Sequence, residues 1–524
     1  MASSRDDYPH DEQFQEALGL PQEARHAEPV SVSPLNLDGI PTVEPFRRGL
    51  AILAWPVILA LVAFLAIFPH LRETAPGDKA LVDRISGVLM QLQTRYAMGA
   101  SKLLGQPKLK EDLYQQLEGM SGGSVIQRLR FAVVTGEFKG WSAALDQLGE
   151  LDQDLAKHNH QLTETERKTF DVLVQLYADY DEGKLTAPNV DQADRELLKK
   201  ELGWFGQLAL APEGGEDRQA RDAVLETAQR TFLVIIIAVG VVFGAALFGF
   251  VGLIVLLVMA AQGTLRGGLR TGSSHHAVYA ETFAVYMLLF LGFNLLADFL
   301  QVGKDLELLV LGFAVLGSLL ALAWPVIRGV PWSTVCEDIG LTWGRNPVAE
   351  PFIGVACYAM GLPLLAIGFI LTLILMAVQS FIELKLHGPE AAGPFDPSLN
   401  SPAHPILEYL ASGDWWARAQ ILFVASVCAP IVEEIMFRGV LYRHVREGTR
   451  GLGPVLSVLI SATWVSFIFA IIHPQGWVAV PALMALAFAF TIAREWRGTV
   501  VPGIAAHALN NGMLMLFVML AAGG

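Results

Sequence analysis

The stretch "APIVEEIMFRGVLYRH", residues 429–444, sets two adjacent glutamates, Glu433 and Glu434, inside a run that otherwise reads as buried helix. Arg438 follows Glu434 at i+4, so the two share one helix face and the arginine neutralises that carboxylate. Glu433 then lies about 100° around the helix, without a local cation. An ionisable group at membrane depth costs several kcal/mol and is a candidate functional residue by default. The alternative reading is a structural polar network that holds two helices together.

The surrounding composition puts this helix in a bilayer. Of 524 residues, 53% are hydrophobic and 17% charged, against about 25% charged in an ordinary soluble protein; the mean hydropathy is +0.44. Residues 1–230 hold 59 of the 88 Lys, Arg, Asp and Glu, so a polar part is joined to a membrane part. The net charge of −14 argues against nucleic acid as a partner. Cys336, Cys357 and Cys428 lack metal-ligand spacing and read as small buried hydrophobes.

Residues 1–49 read as a disordered cytoplasmic tail. The first apolar run, "LAILAWPVILALVAFLAIF" at 50–68, is long enough to span and too far in for a secretory signal. Residues 69–230 read as a soluble, all-α, extracytoplasmic domain, in which Thr163 and Glu166 match a capping box. No catalytic cluster stands out there, and the block is expected to be a helical spacer or a surface for a protein partner. Further spans are expected near 231–261, 278–300, 306–327, 351–382, 416–442, 453–473, 477–493 and 498–521. The first of these is long enough to extend beyond the bilayer. The fold class is therefore an all-α polytopic membrane protein of about nine transmembrane helices, with an all-α soluble insertion after the first. Arg47, Arg48, Arg266, Arg270, Arg443, Arg446, Arg450, Arg494 and Arg497 fall on one side of that arrangement. The positive-inside bias makes it the cytoplasmic side, so the N-terminus is cytoplasmic. The expected location is a plasma membrane, bacterial in type, with the lipid bilayer as a partner.

Other polar groups at membrane depth complete a candidate site. His507 and Asn511, in "PGIAAHALNNGM", are i and i+4 and can donate hydrogen bonds to one developing oxyanion. His473, in "FIFAIIHPQGW", ends its span; taken alone it reads as an interfacial residue. Asp298, near a span end, reads as a snorkelling surface acid. A desolvated glutamate suits proton exchange with water, and Glu, His, His and Asn on separate spans make a water-activating hydrolytic site. The same Glu433, His473 and His507 are the candidate ligands if the site holds zinc, although there is no H-E-x-x-H. A proton-coupled transporter or a scaffold is the reading from another class, but no convincing internal repeat supports transport.

Three ordered patterns carry a resemblance. Glu433-Glu434-x-x-x-Arg438, Phe469-x-x-x-His473 and His507-x-x-x-Asn511 are similar to the motifs of the CPBP family of intramembrane proteases, which includes the type II CAAX prenyl endopeptidases and bacteriocin-processing or self-immunity proteins. The resemblance covers roughly 330–524, leaving 231–329 as preceding transmembrane helices. It implies an endopeptidase acting on a peptide or membrane-protein substrate in or near the membrane. It further implies that Glu433 and His473 activate water and that His507 and Asn511 form the oxyanion site. From the residues themselves, Glu434 and Arg438 are expected to orient the rest, and no cofactor is expected. A zinc-dependent version of the same peptidase is the alternative.

Overall fold

The computed structural model describes residues 48–71, 76–105, 107–265, 267–300, 302, 303, 305–387 and 415–522. Apart from its last two residues, the tail read over 1–49 lies outside them, as do Arg47 and Arg266. Among the described residues there are helices and turns and no strands. The chain is an all-α polytopic integral membrane protein. Nine helices among the described residues are long and apolar enough to cross a bilayer.

Helix α1 (Arg48–Leu71) is the first of them. Seven helices follow: α2 (Pro76–Leu104), α3 (Pro107–Glu118), α4 (Val125–Lys139), α5 (Trp141–Lys157), α6 (Glu164–Asp181), α7 (Gln192–Leu202) and α8 (Trp204–Ala209). They close around their own core, in which Leu129, Leu173, Leu176 and Leu198 are fully buried. Each such leucine contributes about 1.5–3 kcal/mol. The capping box starts α6 as the sequence predicts: the Thr163 hydroxyl accepts from Glu166 N–H, and the Glu166 carboxylate accepts from Thr163 N–H at 2.9 Å. Arg95 lies over the Trp204 ring at 5.0 Å, and burial draws its pKa down to about 10.

Helix α9 (Arg218–Ala261) joins this domain to the bundle without a break. Its 44 residues make about 66 Å of helix, twice the ~30 Å hydrocarbon thickness. The overlong span therefore begins as part of this helical domain: Gly99 of α2 sits against the Ala228 backbone, and Tyr96 packs on Phe232 at 5.3 Å. The rest of the bundle is α10 (His276–Leu300), α11 (Glu307–Ile327), the short α12 (Trp332–Ile339), α13 (Ala349–His387), α14 (Trp415–Gly448), α15 (Pro454–Ile471), α16 (Val480–Arg497) and α17 (Val501–Ala522).

Glycines set the spacing around α13. Gly354, Gly361 and Gly368 recur every seven residues on one face. A Cβ on Gly354 would lie 2.4 Å from the Pro502 carbonyl, and one on Gly368 2.6 Å from that of Pro481. Without a hydrophobic drive between helices in lipid, such close backbone approach is what packs them.

The arginines read as markers of one membrane side are mostly held in ion pairs. Arg443 meets Asp338 at 2.9 Å, Arg446 meets Glu495 at 3.2 Å, and Arg497 meets Glu350 at 2.8 Å. This polar layer ties α12, α13, α14 and α16 together at one end of the bundle. Asp298 is exposed near the end of α10. Cys357 and Cys428 are buried as expected, whereas Cys336 is half-buried near the polar layer.

Candidate active site

Helix α14 carries the two glutamates and is not a regular α-helix. It widens into π-helix at Val424–Cys428 and again at Glu434–Leu441. π-turns inside α-helices recur at functional sites, because the inserted residue swings the following side chains around the axis. Glu433 is the last residue before the second widening.

The two carboxylates have different surroundings. Glu434 is fully buried, and its Oε1 stands 3.0 Å from Arg438 Nη1 and 3.0 Å from His507 Nδ1. The pairing with Arg438 is the one that i, i+4 spacing predicts. The bond to His507, 73 residues on, has no signal in the local sequence. Glu433 keeps 23% of its side-chain surface; its Oε2 is buried and, like Glu434 Oε2, has no hydrogen-bond partner among the described residues. His507 Nε2 is 3.7 Å from that oxygen. The imidazole of His507 therefore stands between the carboxylates, with one nitrogen toward each.

A carboxylate only accepts, so His507 Nδ1 carries the proton it shares with Glu434. Nε2 donates toward the Glu433 side only when the ring carries both protons. Arg438 is 1% exposed and lies over the Phe469 ring at 4.3 Å, with Phe490 at 5.7 Å on another side. A desolvated guanidinium on an aromatic face gains about 2 kcal/mol or more. Phe469, the first residue of the second motif, thus stacks on the arginine of the first.

His473 sits in the turn after α15, its Nδ1 on the Phe469 carbonyl and its ring 4.3 Å from that of Phe469. It interacts electrostatically with Glu433, His507 and Arg438 without a direct hydrogen bond to any of them. The site is thus near the middle of α14 but at the end of the short α15–α16 hairpin. Asn511, one turn beyond His507, donates through Nδ2 to the Ala425 carbonyl at 2.8 Å.

Helix α10 adds a residue that motif reading misses. Tyr286 is buried, packs edge-on to Phe437 at 6.4 Å, and lies within electrostatic reach of Glu433. A tyrosine among the apolar residues of a span gives no periodic signal. Among the described residues, no three His, Cys, Asp or Glu side chains converge as metal ligands.

The pattern of the family described as type II CAAX prenyl endopeptidase Rce1-like matches residues 415–513. A 159-residue stretch is 24% identical to the membrane-embedded CAAX protease MroQ of Staphylococcus aureus (strain USA300). That alignment covers 30% of this chain and 59% of the relative, so the chain spans about three fifths of the length of the curated protein it matches. No solved structure matches the chain. Residues 415–513, which hold the three motifs, are thus similar to Rce1-like type II CAAX prenyl endopeptidases. The match begins with α14, and its 415–513 limits contain every motif residue.

Proposed function

We propose that the chain is an intramembrane endopeptidase in which Glu433 activates water. The observation that carries this reading is the division of labour between adjacent carboxylates. Glu434 is fully buried and held through Oε1 by two partners, while Glu433 keeps 23% of its side-chain surface. A base must reach the proton it takes, and of the two carboxylates only Glu433 keeps accessible surface.

In the proposed reaction, Glu433 accepts a proton as the water oxygen attacks the scissile carbonyl. His473 orients that water from the hairpin end. The tetrahedral oxyanion is held by Nε2–H of doubly protonated His507 and by the amide of Asn511. The carbon–nitrogen bond then breaks, and the proton held by Glu433 passes to the leaving amine, which balances the hydrolysis. Glu434 and Arg438 fix the His507 ring. The substrate is a peptide or membrane protein whose scissile bond lies in or near the bilayer. The test is comparison of peptide termini in membranes from cells carrying the wild-type chain or Glu433→Ala. New termini confined to the wild type identify substrates; identical sets overturn the reading.

No step is routed through zinc, because Arg438 already places positive charge beside the carboxylates and Asn511 shares a helical face with His507, as a joint oxyanion site requires. Elemental analysis of active, chelator-washed protein checks this. The expected result is full activity without bound metal. Stoichiometric zinc, with activity lost on chelation and restored by zinc, would establish the metallo-endopeptidase instead.

We place the N-terminus in the cytoplasm and the 76–217 helices outside, on the strength of the arginine distribution. Single cysteines introduced into α6 should react with an impermeant maleimide in intact cells. Cysteines in the 443–450 segment should not. The reverse pattern would invert the topology.

A further inference from the structure

The sequence "VASVCAP", residues 424–430, opens a gap in the backbone bonding of α14. Ala429 N–H bonds to the Val424 carbonyl, five residues back rather than four. The Ala425 carbonyl thereby loses its α-helical donor. Its donor in a continued π pattern would be residue 430, which is proline and has no N–H. A carbonyl left without a partner inside a bundle is costly. Asn511 Nδ2 satisfies it at 2.8 Å.

The other end of the same amide is also held. Asn511 Oδ1 accepts from Asn510 Nδ2 at 3.0 Å, and Asn510 Oδ1 accepts from the Tyr358 hydroxyl at 3.2 Å. The three bonds run in one direction, from α13 through α17 to α14. Each amide can donate only from nitrogen and accept only on oxygen, so the relay disfavours a flip of Asn511. The Tyr358 ring is 8% exposed and packs with Leu362, Leu486, Phe490 and Ala506.

We infer that Tyr358 and Asn510 are positioning residues for the oxyanion donor Asn511, and that the π-turn before Pro430 supplies the carbonyl against which it is set. The inference rests on the hydrolytic reading above and extends it to residues outside the three motifs; Tyr358 lies outside the 415–513 match as well. One amide N–H is spent on Ala425, and the relay directs the other. A displacement of about 1 Å at such a donor costs up to about 10²-fold in rate. Removing the donor altogether costs about 10²–10³-fold.

The experiment is a double-mutant cycle on the purified full chain in lipid nanodiscs. Membranes from Glu433→Ala cells serve as substrate, and the rate at which new peptide termini form is the readout. Tyr358→Phe keeps the packed ring and removes only the hydroxyl. It should slow cleavage about tenfold in the wild-type background and have no further effect in an Asn511→Ala background. Asn510→Asp, which cannot donate to Asn511 Oδ1 when ionised, should behave in the same way. Additive losses in the two backgrounds, or an unchanged rate in Tyr358→Phe, would overturn the inference, since a purely structural tyrosine contributes independently of Asn511. Wild-type chain that forms no more termini than Glu433→Gln would overturn the hydrolytic reading itself, and with it this extension.

Discussion

Glu433→Gln should reduce hydrolysis by about 10²–10⁴-fold, the contribution of a positioned general base, while the protein stays folded in the membrane. The amide keeps the size of the carboxylate and its place before the π-turn at Glu434–Leu441. It cannot take a proton from water. Glu433 Oε2 has no hydrogen-bond partner among the described residues, so the substitution breaks no bond there that supports the bundle. His507 keeps its contact with Glu434. Detergent-solubilised yield and thermal midpoint should therefore match the wild type, and the loss should appear in kcat. Full activity in the purified Gln variant would remove Glu433 from the mechanism. A collapse in yield would mean that its carboxylate is structural.

Glu434→Ala should do the opposite, lowering the amount of folded protein before any question of rate arises. It strips the anion from Arg438, which is 1% exposed, and the acceptor from His507 Nδ1. Breaking a buried ion pair from one side costs about 3–5 kcal/mol, a large share of the ~5–15 kcal/mol that typically holds a native fold. The Phe469 and Phe490 rings around the guanidinium offset part of that loss, since a cation on aromatic faces is not wholly unsolvated. Glu434→Ala combined with Arg438→Met should recover part of the yield, because the methionine fills the space without a charge. The recovery should be incomplete, because His507 still lacks its acceptor. A double variant that expresses no better than the single one would show that the 3.0 Å pair carries no stability. The contrast between the neighbouring glutamates is the sharper test. One substitution should spare the fold and abolish the rate, and the other should cost the fold itself.

The two arms also separate the classes of function weighed from the sequence. A scaffold that used the carboxylates only for packing would lose yield in both variants. A hydrolase loses rate in one and yield in the other. Termini that depend on Glu433 in whole membranes distinguish cleavage from transport.

Several features are legible in the amino-acid sequence because they depend on local periodicity. Residues four apart on a helix are neighbours, and Glu434 and Arg438 meet at 3.0 Å even though the segment between them is π-helical. The same local logic places the Thr163–Glu166 cap. Long apolar runs had to be membrane helices, since lipid offers the backbone no other partner, and nine such helices are present among the described residues. The ordered motifs point to the protease family that the comparisons support.

What the sequence could not contain is the set of contacts between helices far apart in the chain. Periodicity gives the angle of a side chain on its own helix and says nothing of which neighbour it faces. His507 reaches Glu434, Asn511 reaches Ala425 and Tyr358 reaches Asn510 only because α13, α14 and α17 pack closely, in part through glycines at Gly354 and Gly503. The two π-turns in α14 also depart from the regular repeat on which a helical wheel is drawn. By itself, then, the sequence determined the class of fold and the pairing of neighbours on one helix. The tertiary structure decided which carboxylate is hydrogen-bonded to a histidine and fully buried and which keeps accessible surface, because that depends on packing distances between helices and not on spacing along one.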